Sequence, residues 1–190
     1  MKVLALNGSP RTDGNTAYCL DLVCKELEKE GIETEIVQLG GRKVFGCRAC
    51  YKCGEIKNQR CVRNDDEMGD FLEKAFAADG IIIGSPVYFS NITPEVKAFI
   101  DRCGFVSKAN GGLLKGKVGA SVIAVRRAGG TFAYSAINFF FGISEMIVPG
   151  SSYWNLTIAR DRGEAANDAE GVQTFVTLGT NIASLMKKLG

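Results

Sequence analysis

The chain has 190 residues, 46% of them hydrophobic and 23% charged, enough to bury one sizeable core and expected to form a single domain over 1–190. Its formal net charge of +2 argues against nucleic acid or an anionic membrane surface as a partner. No apolar run reaches the roughly 18 residues of a membrane span, and the lack of histidine excludes imidazole catalysis and any metal site with a histidine ligand.

In chain order, MKVLALNGSP has too short an apolar run for a secretory leader. Lys2–Leu6 is therefore predicted as the first strand, and the chain is expected in the cytoplasm. The polar loop NGSPRTDGNT follows. From Thr16 to Lys29, Leu20, Val23, Cys24 and Leu27 recur at helical spacing, and Glu33–Leu39 is predicted as the second strand. Next comes GCRACYKCGEIKNQRC, residues 46–61, with four of the seven cysteines. In NDDEMGDFLEKAFAAD, an N-cap candidate, an acidic first turn and the positions of Phe71, Leu72, Ala75 and Phe76 predict a helix. GIIIGSPVYF is a strand buried on both faces, and a helix from about Thr93 to Phe105 opens on Pro94. Lys117–Val125 is the fourth strand, TFAYSAINFFFGISEM a helix, IVPGSSYW the fifth strand and Ala169–Leu189 a closing helix. Strands alternating with helices predict an α/β fold, a parallel sheet covered on both faces. Five strands predict the flavodoxin-like doubly wound order 2-1-3-4-5, with ligands at the carboxyl ends.

Three loops at those ends carry polar chemistry. In the first, Ser9, Arg11, Thr12 and Thr16 stand just before a helix, whose N–H groups and dipole attract an anion. It lacks both G-x-G-x-x-G and G-K-[ST], which favours a mononucleotide phosphate over a dinucleotide or a Walker site. In the second, Pro86, Tyr88 and Phe89 end a buried strand and suit a flat heteroaromatic ring. In the third, Ala128, Gly129 and Gly130 permit close backbone approach, and Arg126 and Arg127 can hold negative charge on that ring.

GSPRTDGNT, GSPVYFSNITPEVKAFIDR and VRRAGGTF resemble the phosphate, isoalloxazine and ring-edge loops of the NAD(P)H-dependent FMN reductase family. The similarity runs over nearly the whole chain and implies FMN. On this resemblance Ser9, Arg11, Asn15 and Thr16 match phosphate-loop positions. Pro86, Val87, Tyr88, Phe89, Ser90 and Asn91 match the ring loop, and Gly129 and Gly130 the third loop.

The cysteines are spaced Cys47-x2-Cys50-x2-Cys53-x7-Cys61. A C-x2-C-x2-C run supplies three ligands to one [4Fe–4S] cluster in bacterial ferredoxins, and Cys61 is available as a fourth. Within the family this resembles the iron–sulfur flavoproteins, and it implies a cysteine-rich insertion at about 46–64 whose four thiolates hold such a cluster. Three other readings stand beside it: a four-thiolate zinc site, a redox-active disulfide, and a loop that binds no metal. Cys19, Cys24 and Cys103 read as small buried hydrophobes. Phe139–Phe141 reads either as a contact between subunits or as part of a fully buried helix. The resemblance implies a homo-oligomer, a dimer or tetramer.

FMN would carry the chemistry, so no side chain is assigned a catalytic role. The expected function is FMN-dependent electron transfer or reduction of small oxidants, with NAD(P)H, a ferredoxin-like protein or a small molecule as electron partner. A cluster-free NAD(P)H-dependent FMN or quinone reductase is one alternative. A zinc-stabilised binding module without redox chemistry is the other.

Overall fold

The computed structural model describes residues 1–190. Five parallel strands form one sheet: β1 (Lys2–Asn7), β2 (Glu33–Gln38), β3 (Gly80–Pro86), β4 (Val118–Val125) and β5 (Leu156–Ile158), in the order β2-β1-β3-β4-β5. The helices are α1 (Asn15–Lys29), α2 (Lys52–Ile56), α3 (Met68–Ala77), α4 (Pro94–Ala109), α5 (Gly130–Ile143) and α6 (Ala169–Leu189). No helix is long and apolar enough to cross a membrane.

The strand period of two divides the core. Val3, Ala5, Ile82, Ala120 and Val122 pack with Leu20, Val23, Phe175 and Ile182 of α1 and α6. Leu4, Leu6, Ile81, Ile83 and Ile123 face α3, α4 and α5, where Phe99, Phe140 and Phe141 fill the other layer. Covering both faces explains why β3 and β4 read as unbroken apolar runs.

Several expectations shift. IVPGSSYW is not a strand: Ile147 makes a single bridge to Val118, Pro149 has no N–H for a ladder, and the fifth strand forms only at Leu156–Ile158. The fourth helix runs one turn beyond Phe105, to Ala109. The third begins at Met68, without a side-chain cap from its N-cap residue. Within the cysteine segment, α2 is a five-residue helix flanked by Tyr51 and Lys57 in the left-handed region, which no periodicity announces. The triple phenylalanine divides: Phe140 and Phe141 are buried while Phe139 is 76% exposed.

Candidate functional site

Loops from three strands meet at the carboxyl end of the sheet. The Gly8 N–H donates to the Gly84 carbonyl at 2.8 Å. Thr93 Oγ1 donates to the Gly8 carbonyl at 2.9 Å, and the Thr93 N–H to Ser85 Oγ at 3.1 Å. The third loop closes on the second at Gly129, whose φ is +87° and whose Cβ, were there one, would lie 2.8 Å from Ser90 Cα. Glycine is required there on both counts.

The first loop is held from below by two residues that sequence reading did not single out. Asn7 ends β1 and pairs in register with Gln38; its Nδ2 donates to Gln38 Oε1 at 2.8 Å, and its Oδ1 accepts the Ser9 N–H at 3.1 Å. Gln38 Nε2 donates to the carbonyls of Ser9 and Gly40, at 2.5 and 2.7 Å. Ser9 Oγ accepts the Arg11 N–H at 3.1 Å, which leaves the hydroxyl proton free to donate. Thr16 is buried at the start of α1. The Asn15 side chain faces elsewhere: Nδ2 donates to the Asp161 carbonyl at 2.9 Å, and Oδ1 accepts the Gly163 and Ala165 N–H groups. Asn15 thus pins the 161–165 segment, and only its backbone N–H points into the helix start.

Electrostatics at this end favour an anion. α1 and α5 have neither a side-chain cap nor an acidic residue in the first turn, so their leading N–H groups and positive dipole ends are unanswered. By contrast α6 is capped by Asp168, and α3 and α4 carry Asp70 and Glu95 in the first turn. Arg11, Arg126 and Arg127 are exposed and belong to none of the chain's ion pairs, whereas Arg42, Arg60, Arg63, Arg102 and Arg162 all have carboxylate partners.

The second loop is a tight turn in which the N–H groups of Tyr88 and Asn91 bond each other's carbonyls at 2.8 and 3.0 Å. Its central residues, Phe89 and Ser90, have φ of +46° and +65°, the signature of a type I′ turn made without glycine. The Phe89 ring is fully exposed and that of Tyr88 half so.

The second centre lies along α4. Cys47, Cys50, Cys53 and Cys61 line one pocket with Arg102, Phe105 and Val106 of that helix, and Arg48 and Arg63 line it as well. All seven cysteines are free thiols, and no three acidic or thiol groups converge where one ion could be held. A zinc ion and a [4Fe–4S] cluster would each draw on these same four thiols. Ala49, Tyr51, Lys57 and Gln59 have φ between +50° and +62°, each a strained conformation for a residue with a Cβ. The Ala49 N–H is thereby aimed at Cys47 Sγ, 3.4 Å away. Burial pushes the Cys53 thiol up, and the Cys61 and Cys47 sulfurs add to it, against the N–H groups of Cys53 and Gly54. By helix rise, the Arg102–Phe105 turn that lines the pocket lies roughly 15 Å along α4 from Pro94, which follows the ring loop.

The chain is similar to known proteins over nearly its whole length. Residues 1–161 match the family model for NADPH-dependent FMN reductases. An iron-sulfur flavoprotein of Methanocaldococcus jannaschii is 34% identical, the alignment covering 98% of each chain. An iron-sulfur flavoprotein of Methanosarcina thermophila is 33% identical over 92% of this chain and 89% of its own. Among solved structures, RosB with a bound 8-demethyl-8-formylriboflavin-5'-phosphate superposes with a TM-score of 0.74 at 22% identity, covering 99% of this chain and 81% of that one. An NAD(P)H:quinone oxidoreductase of Methanothermobacter marburgensis does so at 0.67 and 13%, covering 96% of each. Identities this low show a shared fold.

Proposed function

The chain belongs to the NADPH-dependent FMN reductase family and, within it, to the iron-sulfur flavoproteins; it is a flavin-dependent oxidoreductase, and on that premise we propose that it holds FMN at the strand ends and a [4Fe–4S] cluster between its four clustered cysteines. FMN supplies hydride and single-electron chemistry, and the cluster single-electron chemistry only. On this reading residues 1–190 act as one FMN-binding domain with a cysteine-rich insertion at 46–64.

The free Ser9 hydroxyl, the Arg11 guanidinium, Thr16 and the uncapped N-terminus of α1 bind the phosphate, with Asn15 contributing its backbone N–H. Pro86, Val87, Tyr88, Phe89, Ser90 and Asn91 form the ring platform. Gly129 and Gly130 let the third loop approach the ring edge, and the unpaired Arg126 and Arg127 stabilise negative charge there. Cys47, Cys50, Cys53 and Cys61 hold the cluster as thiolates; the soft donor set selects iron–sulfur over hard cations. Electrons enter from a reduced nicotinamide or a ferredoxin-like protein and leave to a small oxidant. Free thiols of this kind persist in the cytoplasm. Phe132, Phe139 and Ile143, each exposed, lie along one face of α5, and we assign that stripe to contact with a second copy of the chain.

The observation that carries the reading is the lining of one pocket by four cysteines spaced Cys47-x2-Cys50-x2-Cys53-x7-Cys61. Anaerobically purified protein should contain FMN with about four iron and four labile sulfide per chain, and Cys61→Ala should lose iron while keeping FMN. Zinc in place of iron, or FMN without iron and sulfide, would refute it.

A further inference from the structure

Arg102 is the largest fully buried side chain of the molecule, and its guanidinium does more than pair with a carboxylate. One terminal nitrogen donates to Asp66 Oδ2 at 2.5 Å and to the Phe45 carbonyl at 3.2 Å; the other donates to the Arg63 carbonyl at 2.8 Å. Phe45 and Arg63 are the two ends of the segment that carries the four clustered cysteines, so one side chain on α4 clasps the base of the loop. Asp66 completes the clasp by accepting the Phe45 N–H at 2.8 Å.

The third donor is left over. Arg102 Nε is buried and has no acceptor, whereas the other two orphaned buried side-chain atoms are uncharged oxygens. A buried polar donor without a partner is costly, and more so when charged, so such a group needs an explanation. The same side chain lines the pocket of Cys47, Cys50, Cys53 and Cys61, where sulfur is the acceptor that an occupant would bring. Thiol sulfur is a weak acceptor, but thiolate or sulfide bearing negative charge is a strong one for a cation.

Resting on the iron–sulfur reading above, we propose that Arg102 tunes the cysteine site, its Nε–H donating to a sulfur of the bound cluster or of the thiolates that hold it. Adding an electron increases the negative charge on those sulfurs. A fixed cationic donor therefore stabilises the reduced form more than the oxidised one and raises the reduction potential.

Arg102→Lys isolates the donor. Atom for atom, the lysine Cε replaces Nε, while Nζ keeps a cation facing Asp66. The anaerobically purified variant should retain its iron, and reduction of the cluster should become about tenfold less favourable, about 59 mV lower for one electron. Iron retained with an unchanged potential overturns the proposal and leaves the iron–sulfur reading standing; wild-type protein without iron overturns both. Should the variant lose its iron, wild-type protein labelled with ¹⁵N at arginine Nε decides. Pulsed electron paramagnetic resonance of the reduced cluster then shows a ¹⁵N coupling that persists in Arg48→Lys and Arg63→Lys variants, the other two arginines of the pocket, and its absence overturns the proposal.

Discussion

Cys19, Cys24 and Cys103 are buried on helices α1 and α4, unlike the partly exposed cysteines of the pocket. Burial pushes the Cys24 thiol up to about 12, against a hydrogen bond from Thr34, and drives Cys19 and Cys103 in the same direction. Their folded values lie above the unfolded value of about 8.5. The stabilisation that they contribute is therefore complete below pH 8.5 and is lost as the pH climbs towards 12. The melting temperature should be level on the neutral side and fall steadily above about pH 9. A melting temperature that rises with alkali would show that these thiols are not buried. At this scale the sequence was informative where residue type encodes the chemistry. The spacing of the clustered cysteines and the hydroxyls and arginines of the strand-end loops could be read directly. Asn7, Gln38, Asp66 and Arg102 could not, because each acts through a partner 31 to 57 positions away, and no local pattern records such a pairing. Asn15 shows the converse: its loop matches a phosphate site, yet its amide is taken up by residues 161–165.

The helices that open on the strand ends are left uncapped, and this has a measurable cost. Gly14, the N-cap of α1, has φ −83° and ψ −175°, an extended conformation open to any residue. Its missing Cβ would lie 3.1 Å from Arg11 Cβ, a contact that a shift of a few tenths of an ångström relieves. Gly14→Asp should therefore cap α1 and stabilise the flavin-free chain by about 0.5–1 kcal/mol. The same carboxylate would occupy the place and oppose the charge of a phosphate, weakening FMN binding about tenfold. Flavin-free melting curves and FMN titration check the two halves together, and tighter FMN binding would show that the phosphate lies elsewhere. The cysteine segment was opaque as an element for a related reason. Four non-glycine residues in it adopt positive φ, a choice that local propensity disfavours and that tertiary constraint imposes. β5 was displaced for another: Pro149 and Gly150 interrupt the apolar run that suggested a strand, and the ladder resumes at Leu156 beside Ile123.

Across the whole molecule, strand order and the two core layers followed from alternation of strand and helix patterns, because long buried strands and amphipathic helices allow few other arrangements. What those patterns could not reveal is the stripe on α5. Phe139 differs from Phe140 and Phe141 only in the direction that it faces, and it is exposed with Phe132 and Ile143. Phe139→Glu should convert the assembled protein to monomer in light scattering, with the far-ultraviolet circular dichroism unchanged. An unaltered mass would move the interface elsewhere. The proposed protein joins two redox centres: a flavin that takes electrons in pairs and a cluster that takes one. An anaerobic reductive titration of purified protein, followed by visible absorbance, counts them. About three electrons per chain, divided between flavin and cluster bands, are expected; about two, all in the flavin bands, would rule the cluster out.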